Sequence, residues 1–384
     1  MTGSEPELWH ILDAGSVLIE EFASAFSLMA PTMAWAPQRL ALGALEDWER
    51  TEVLASPPLT LTRFPLQRGY ARAPIRSLLP FEGKLLKRML AHCCEPALCP
   101  VICTTPHYAP LAERWPGPVI YYSTDLTSAY QGMHQQEVIR LDQRMCQAAR
   151  IICPNSQRLA AYFLNTAGCE AGKITIVPNA TRAGNVADAP LLEPDALPPD
   201  IASLTRPVAG VLGNLAGNMN WTLIADAVAR TPGLSWVFVG PADMAIEDSE
   251  QEAARAWTRK HAHFTGGKAY GELQAYARSF DVAVLPYQKR EPTYSGSSTR
   301  FYQHLAACRP MVATRGFAEL LEKPPLLTLV DTADEMVAAL VALQQKDFKD
   351  GLETARWEAS RLGTWDQRAR TIIDALARST PEAP

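Results

Sequence analysis

The densest run of reactive side chains in this 384-residue chain is Ser297-Ser298-Thr299-Arg300, with Gln303 three residues on. The apolar segment before it, Asp281-Val-Ala-Val-Leu-Pro286, reads as a strand that stops at a proline. Tyr294-Ser-Gly-Ser-Ser-Thr299 reads as a hydroxyl-rich loop, Arg300 to Ala307 as a helix, and Pro310-Met-Val-Ala-Thr314 as the next strand. A helix N-terminus offers unpaired N–H groups and the positive end of the peptide dipole, so it suits an anion. Ser297, Ser298 and Thr299 supply a cap and hydroxyl donors. Arg300 in the first turn opposes the dipole, and a bound phosphate would offset that cost. Gln303 falls on the Arg300 face, where it can hold a sugar hydroxyl. The plain alternative is a Ser/Thr N-cap with a solvated arginine, and local physics does not separate the two.

The order of residues tips the balance. Ser298-Thr299-Arg300-Phe301-Tyr302-Gln303-His304-Leu305-Ala306-Ala307-Cys308-Arg309-Pro310-Met311-Val312 resembles the donor-site segment of GT-B glycosyltransferases of the bacterial polysaccharide type, group 1. In that segment a small residue precedes Lys, two spacers, Glu, Tyr-Leu-Ala, Gly, one spacer and Pro-Val-Val-Ala-Thr. The usual Lys is Arg300 here, the usual Glu is Gln303 and the usual Gly is Cys308. With glutamine at 303 the segment is similar to that of GumK-like glucuronosyltransferases, which are inverting and membrane-associated.

The resemblance implies an α/β fold of the GT-B kind, with two Rossmann-like doubly wound domains facing a cleft. It places the nucleotide-sugar in the C-terminal domain and a saccharide or lipid-linked saccharide acceptor in the N-terminal one. The expected donor is UDP-linked, with UDP-glucuronate as one option, and the expected setting is exopolysaccharide or other polysaccharide biosynthesis. The Glu-x7-Glu signature of the retaining branch would fall on Ser295 and Gln303, so the expectation is inversion. No Asp-x-Asp motif is present, which implies transfer without a bound metal and no cofactor beyond the substrate. Lys289 and Arg290 are read as exposed loop charges rather than partners of a uronate.

The same matching order continues around that segment. Val208-Ala-Gly-Val-Leu-Gly213-Asn214 reads as a strand entering a glycine turn, where a backbone can approach a ligand closely. Tyr270 and Tyr287 are candidates for stacking on, or hydrogen bonding to, the nucleotide. The resulting donor-site set is Gly213, Asn214, Tyr270, Tyr287, Ser297, Ser298, Thr299, Arg300 and Gln303.

Residues 100–180 alternate apolar runs with helical patterns, which predicts a parallel doubly wound sheet. Ligands bind beyond the carboxyl ends of strands in such sheets. Asp125, just after Pro118-Val-Ile-Tyr-Tyr122, stands at such an end and is the expected general base toward an acceptor hydroxyl. A capping or turn aspartate is the plain alternative. His107 is the second catalytic candidate, with a capping or half-buried histidine as its alternative. Asp13 and Ser16 occupy a thin version of the family's acceptor-side loop, and a core strand and helix with Asp13 as the cap is the preferred reading.

Length suggests two domains. We place an acceptor domain at 1–182, a proline-rich linker at 183–207, a donor domain at 208–360 and a C-terminal helix at 361–384 that crosses back to the first domain. A net charge of −5 argues against nucleic acid as a partner. No apolar run approaches the ~18 residues of a membrane span, and the acidic start lacks a signal-peptide pattern. The expected location is cytoplasmic, on the inner face of the membrane. Residues 63–90 carry seven basic residues against one acid, among regularly placed apolar ones. Arg72, Arg76, Lys84, Lys87 and Arg88 are therefore assigned to an anionic membrane surface, against the alternative of a solvated helix face. The eight cysteines show no CxxC pairs and are read as reduced thiols without a metal. Two other readings of the same fold stay open: a UDP-sugar epimerase, and a non-catalytic subunit that assists a partner transferase.

Overall fold

The structure, a computed structural model, describes residues 8–40, 53–56, 59–67 and 81–379. Arg72 and Arg76 lie outside the described residues. The chain divides into two compact units, one holding the residues up to Pro178 together with those from Trp365 onward, the other Asn179–Thr364.

The first unit is built on a seven-stranded sheet in the order β3-β4-β2-β1-β5-β6-β7. Its strands are β1 (Trp9–Leu12), β2 (Thr32–Leu40), β3 (Val53–Ser56), β4 (Leu59–Gln67), β5 (Val101–Cys103), β6 (Val119–Ser123) and β7 (Ile151–Pro154). All neighbours are parallel except β3 and β4. β1, β5, β6 and β7 are buried along their whole length, which is why they read as unbroken apolar runs. Helix α1 (Val17–Ser27) follows β1. Its cap is Ser16, whose hydroxyl accepts from the Ile19 N–H at 3.4 Å, and not Asp13, which takes a left-handed φ of 66° in the turn.

The basic stretch 63–90 turns out to be core-forming where it is described. Arg63 sits on β4, and helix α2 spans Phe81–Leu90. Phe64, Leu66, Leu85 and Met89 are buried in the first unit's apolar core. These four apolar residues are thus spent inside the protein, and Lys84 and Lys87 lie on an exposed helix face. No helix among the described residues is long and apolar enough to cross a membrane.

The second unit carries a six-stranded, all-parallel sheet in the order β10-β9-β8-β11-β12-β13. Its strands are β8 (Val208–Leu212), β9 (Ser235–Val239), β10 (His263–Gly266), β11 (Val282–Leu285), β12 (Met311–Thr314) and β13 (Thr328–Val330). The strand order reverses between β8 and β11, so the ends of these two strands mark the crevice where a doubly wound sheet receives its ligand. The stretch 183–207 is no free linker. Ile201 is fully buried among Val208, Tyr276 and Phe280, and the Arg309 guanidinium donates to the carbonyls of Leu191 and Leu192. Its prolines shape a strap tied to the second unit, and the boundary falls earlier, at Pro178.

The terminal helix spans Trp365–Arg378 and belongs to the first unit. Trp365, Ala369, Ile372 and Leu376 recur on one face, and Trp365 meets the Phe22 ring of α1 at 6.2 Å.

Candidate active site

In the second unit the candidate site is assembled around the start of one helix. Helix α9 spans Thr299–Ala307, with Ser298 as its N-cap accepting from the Phe301 N–H. The N–H groups of Thr299 and Arg300 take no partner among the described residues and lie at the helix start. Arg300 donates from Nη1 to Gln303 Oε1, one turn on, so the two act as a single fork. Below them Gly213 turns out of β8 at φ 144°. A Cβ placed there would sit 3.5 Å from the Tyr287 hydroxyl and 3.6 Å from Arg300 Nε. Gly213, Tyr287, Arg300 and Gln303 are therefore brought together at the β8–β11 switch point.

Gly240, after β9, has φ 147°, and a Cβ there would fall 1.7 Å from the Gly213 carbonyl oxygen. Only glycine permits this contact, which leaves a ledge of bare backbone beside Arg300. Gly240 was not among the expected site residues, because its constraint comes from a neighbouring strand.

The hydroxyls do not play equal parts. Ser297 Oγ accepts from the Asn179 N–H at 3.0 Å, and the Asn179 amide donates to the Ser297 carbonyl at 2.7 Å and to Thr299 Oγ1 at 3.1 Å. Ser297 and Thr299 are thus pinned from Asn179, which binds the loop in place as a template. Glu319, buried, takes the Ser298 N–H at 3.0 Å and the Tyr302 hydroxyl at 2.5 Å. It satisfies one orphan donor of the helix and leaves the next two open. Nothing local marked Glu319, one of two acids in the 3-10 turn Ala318–Glu322. Asn179→Ala removes one buried and one part-buried side-chain hydrogen bond, so unfolding in urea should show a loss of about 1–3 kcal/mol. Unchanged stability would remove Asn179 from this role.

The electrostatics leave Arg300 as the charge of the site. His304, fully buried on the same helix, is held neutral, its pKa lowered to about 3 by burial and then by the Arg300 charge. Its two ring nitrogens and Gln303 Nε2 have no hydrogen-bond partner among the described residues. Tyr287 is held protonated by burial. Its ring is buried and packs edge-on against Phe317 at 4.9 Å, and its hydroxyl faces the Gly213 turn. The Arg182 guanidinium already lies over the Tyr270 ring at 5.3 Å. Asn214 is exposed at the turn, 3.6 Å from Met244 Sδ, and Lys289 and Arg290 are exposed loop charges. Cys308, where the resembling segments carry glycine, still adopts the left-handed C-cap at φ 60°.

In the first unit, His107, Asp125 and Asn155 follow the carboxyl ends of β5, β6 and β7. Asn155 donates to the Thr124 carbonyl, and its N–H to Ser123 O at 3.1 Å, which fixes the loop bearing Asp125. Burial raises the Asp125 carboxyl to a pKa of about 6, against hydrogen bonds from Tyr130 and Thr124 that lower it. It is thus a stronger base than an ordinary aspartate. His107 is buried in the 3-10 turn Pro106–Tyr108 rather than presented at the surface. Sequence reasoning missed Asn155, whose part depends on the pairing of β6 with β7.

One cluster has metal-ligand chemistry: His10 Nε2, Cys93 Sγ and Cys99 Sγ lie within 4.8 Å of one another. The Trp35 indole donates to His10 Nδ1 at 3.0 Å. A metal on Nε2 would require a proton on Nδ1, facing that N–H. The cluster therefore does not fit a metal.

Residues 206–346 match the family model described as Glycosyl transferases group 1. That match falls within the second unit. Over 170 residues the chain is 23% identical to a Bacillus subtilis (strain 168) protein named as a teichuronic acid biosynthesis glycosyltransferase, TuaH. That match covers 43% of this chain and spans less than half, 42%, of the relative's length. Among solved structures, sucrose-phosphate synthase from Thermosynechococcus elongatus has a TM-score of 0.72 at 13% identity, covering 97% of this chain and 98% of that one. Anabaena Alr3699/HepE in complex with UDP-glucose has a TM-score of 0.68 at 14% identity, covering 97% and 99%. At such identities the likeness is one of fold, and the fold is GT-B, an α/β architecture of two Rossmann-like units.

Proposed function

We propose that this protein transfers a sugar from a UDP-sugar to a saccharide or lipid-linked saccharide acceptor during polysaccharide synthesis. The observation that carries the proposal is the open N-terminus of α9 with the Arg300–Gln303 fork over the Gly213–Gly240 ledge. The family match of the second unit supports it. So does the likeness to a protein crystallised with UDP-glucose and, more distantly, to one named for teichuronic acid biosynthesis.

The chemistry follows from charge. Displacement at the anomeric carbon leaves a nucleoside diphosphate whose negative charge grows as the bond breaks. The Thr299 and Arg300 N–H groups and the Arg300 guanidinium are preorganised for that charge. Gln303 holds a sugar hydroxyl through its unsatisfied Nε2. Asp125 takes the proton from the acceptor hydroxyl as the new bond forms. The reaction inverts the anomeric centre: position 295 carries a serine tied by 2.8 Å to Glu291 rather than a carboxylate of its own.

The test is thermal stabilisation of the intact protein by UDP-, GDP-, dTDP- and ADP-sugars, since a ligand that binds only the folded state raises the Tm. A rise with UDP-sugars alone is expected, followed by transfer to lipid-linked saccharides. No rise with any of them would sink the proposal.

A further inference from the structure

The His10–Cys93–Cys99 cluster lies outside the machinery described above, and its geometry suits thiol chemistry. His10 is fully buried and is kept neutral by that burial, its pKa lowered to about 4. Because Nδ1 accepts from Trp35, the ring proton resides on Nε2, 3.2 Å from Cys93 Sγ. That N–H is a fixed donor toward the Cys93 sulfur, and a hydrogen bond to the charged form favours the thiolate. Cys93 is half-buried in an exposed turn after α2, so a small oxidant can reach it. Cys99 Sγ, within 4.8 Å, is fully buried. Its backbone is anchored by the Trp115 indole, which donates to the Cys99 carbonyl at 2.8 Å.

We propose that Cys93 and Cys99 form a reversible redox pair, with Cys93 attacking a peroxide and Cys99 resolving the product. The Cys93 thiolate attacks one peroxide oxygen, the O–O bond breaks, and Cys93 becomes a sulfenic acid as water leaves after protonation. The Cys99 sulfur then attacks the Cys93 sulfur and expels the hydroxyl, which leaves as a second water with the Cys99 proton. Two thiols are oxidised and one peroxide is reduced. Bond formation needs the sulfurs to close to about 2.05 Å. Cys99 is held from behind, so the exposed 91–95 turn makes the approach. The product ties the end of α2 to the start of β5.

The test treats the full-length reduced protein with a small excess of hydrogen peroxide and maps the non-reduced peptides by mass spectrometry. A Cys93–Cys99 linked peptide, reversed by a dithiol reductant, is expected as the first product. Cys99→Ser should stop at a Cys93 sulfenic acid trapped by dimedone, and His10→Gln should slow the Cys93 reaction several-fold. Cys94→Ser should leave it unchanged. Links through Cys94, first reaction at Cys146 or Cys169, or no link at all would overturn the proposal. So would stoichiometric zinc that survives purification and is lost in Cys93→Ser, which would make the cluster a metal site.

Discussion

Arg300→Ala should abolish the stabilisation of the protein by UDP. Arg300 is the charge of the anion site, because His304 beneath it stays neutral and Lys289 and Arg290 stand exposed on a loop. Charge-assisted hydrogen bonds are worth about 1.5–3 kcal/mol each. Losing one or two of them weakens UDP by roughly 10- to 20,000-fold, at about 1.4 kcal/mol per decade. Calorimetric titration of wild type and variant reads this directly. The apo protein should survive the change, since a cation in the first turn of a helix is set against the dipole and its loss removes that opposition. Arg300→Lys should recover part of the affinity, because an ammonium supplies the charge but not the fork shared with Gln303. UDP affinity unchanged in Arg300→Ala would displace the donor site from α9.

Asp125→Asn should lower turnover by about 10²- to 10⁴-fold, the usual contribution of a positioned general base, and leave UDP affinity alone. The two variants thus separate binding from chemistry. The pH profile supplies a second reading. Burial raises the Asp125 carboxyl to about 6. A base works only when ionised, so wild-type turnover should climb as pH rises through about 6 and level off above. The residual rate of the variant should lack that limb. The stability sign runs the other way. A carboxyl whose folded pKa is raised stabilises the fold while protonated, and this contribution is lost as pH rises through the folded value. At neutral pH the ionised group is therefore a cost, and Asp125→Asn should melt no lower than wild type. Turnover at wild-type level in Asp125→Asn would pass the base to another group of the first unit.

Much of the architecture could be read before folding. Strands β1, β5, β6 and β7 are buried on both faces, and such strands appear in a chain as short apolar runs. Helix α9 announced itself by the Ser298 cap and the 3.6-residue spacing that follows. The donor segment was legible because its loop, helix and strand are contiguous, so the chemistry and the signal share one stretch of chain. The membrane surface assigned to 63–90 illustrates the opposite. Basic residues among apolar ones look alike whether the apolar face meets lipid or protein, and for the described residues it is the tertiary structure that places Phe64, Leu66, Leu85 and Met89 in the core. The proline-rich 183–207 stretch misled similarly, because composition reports local stiffness but not that Ile201 and Arg309 tie it down.

Local physics specifies element type, caps and the candidate anion helix, since these depend on residues within a turn or two of one another. The parts that hold the site in register depend on neighbours that sequence distance hides. Asn179 reaches Ser297 across 118 residues, Glu319 closes one N–H of α9 from a later turn, and Gly240 is required by the carbonyl of Gly213 on the adjacent strand. Hydrogen bonds and steric exclusion act over ~3–4 Å of space whatever the separation along the chain, so these constraints exist only once the parallel sheet has brought the strand ends together.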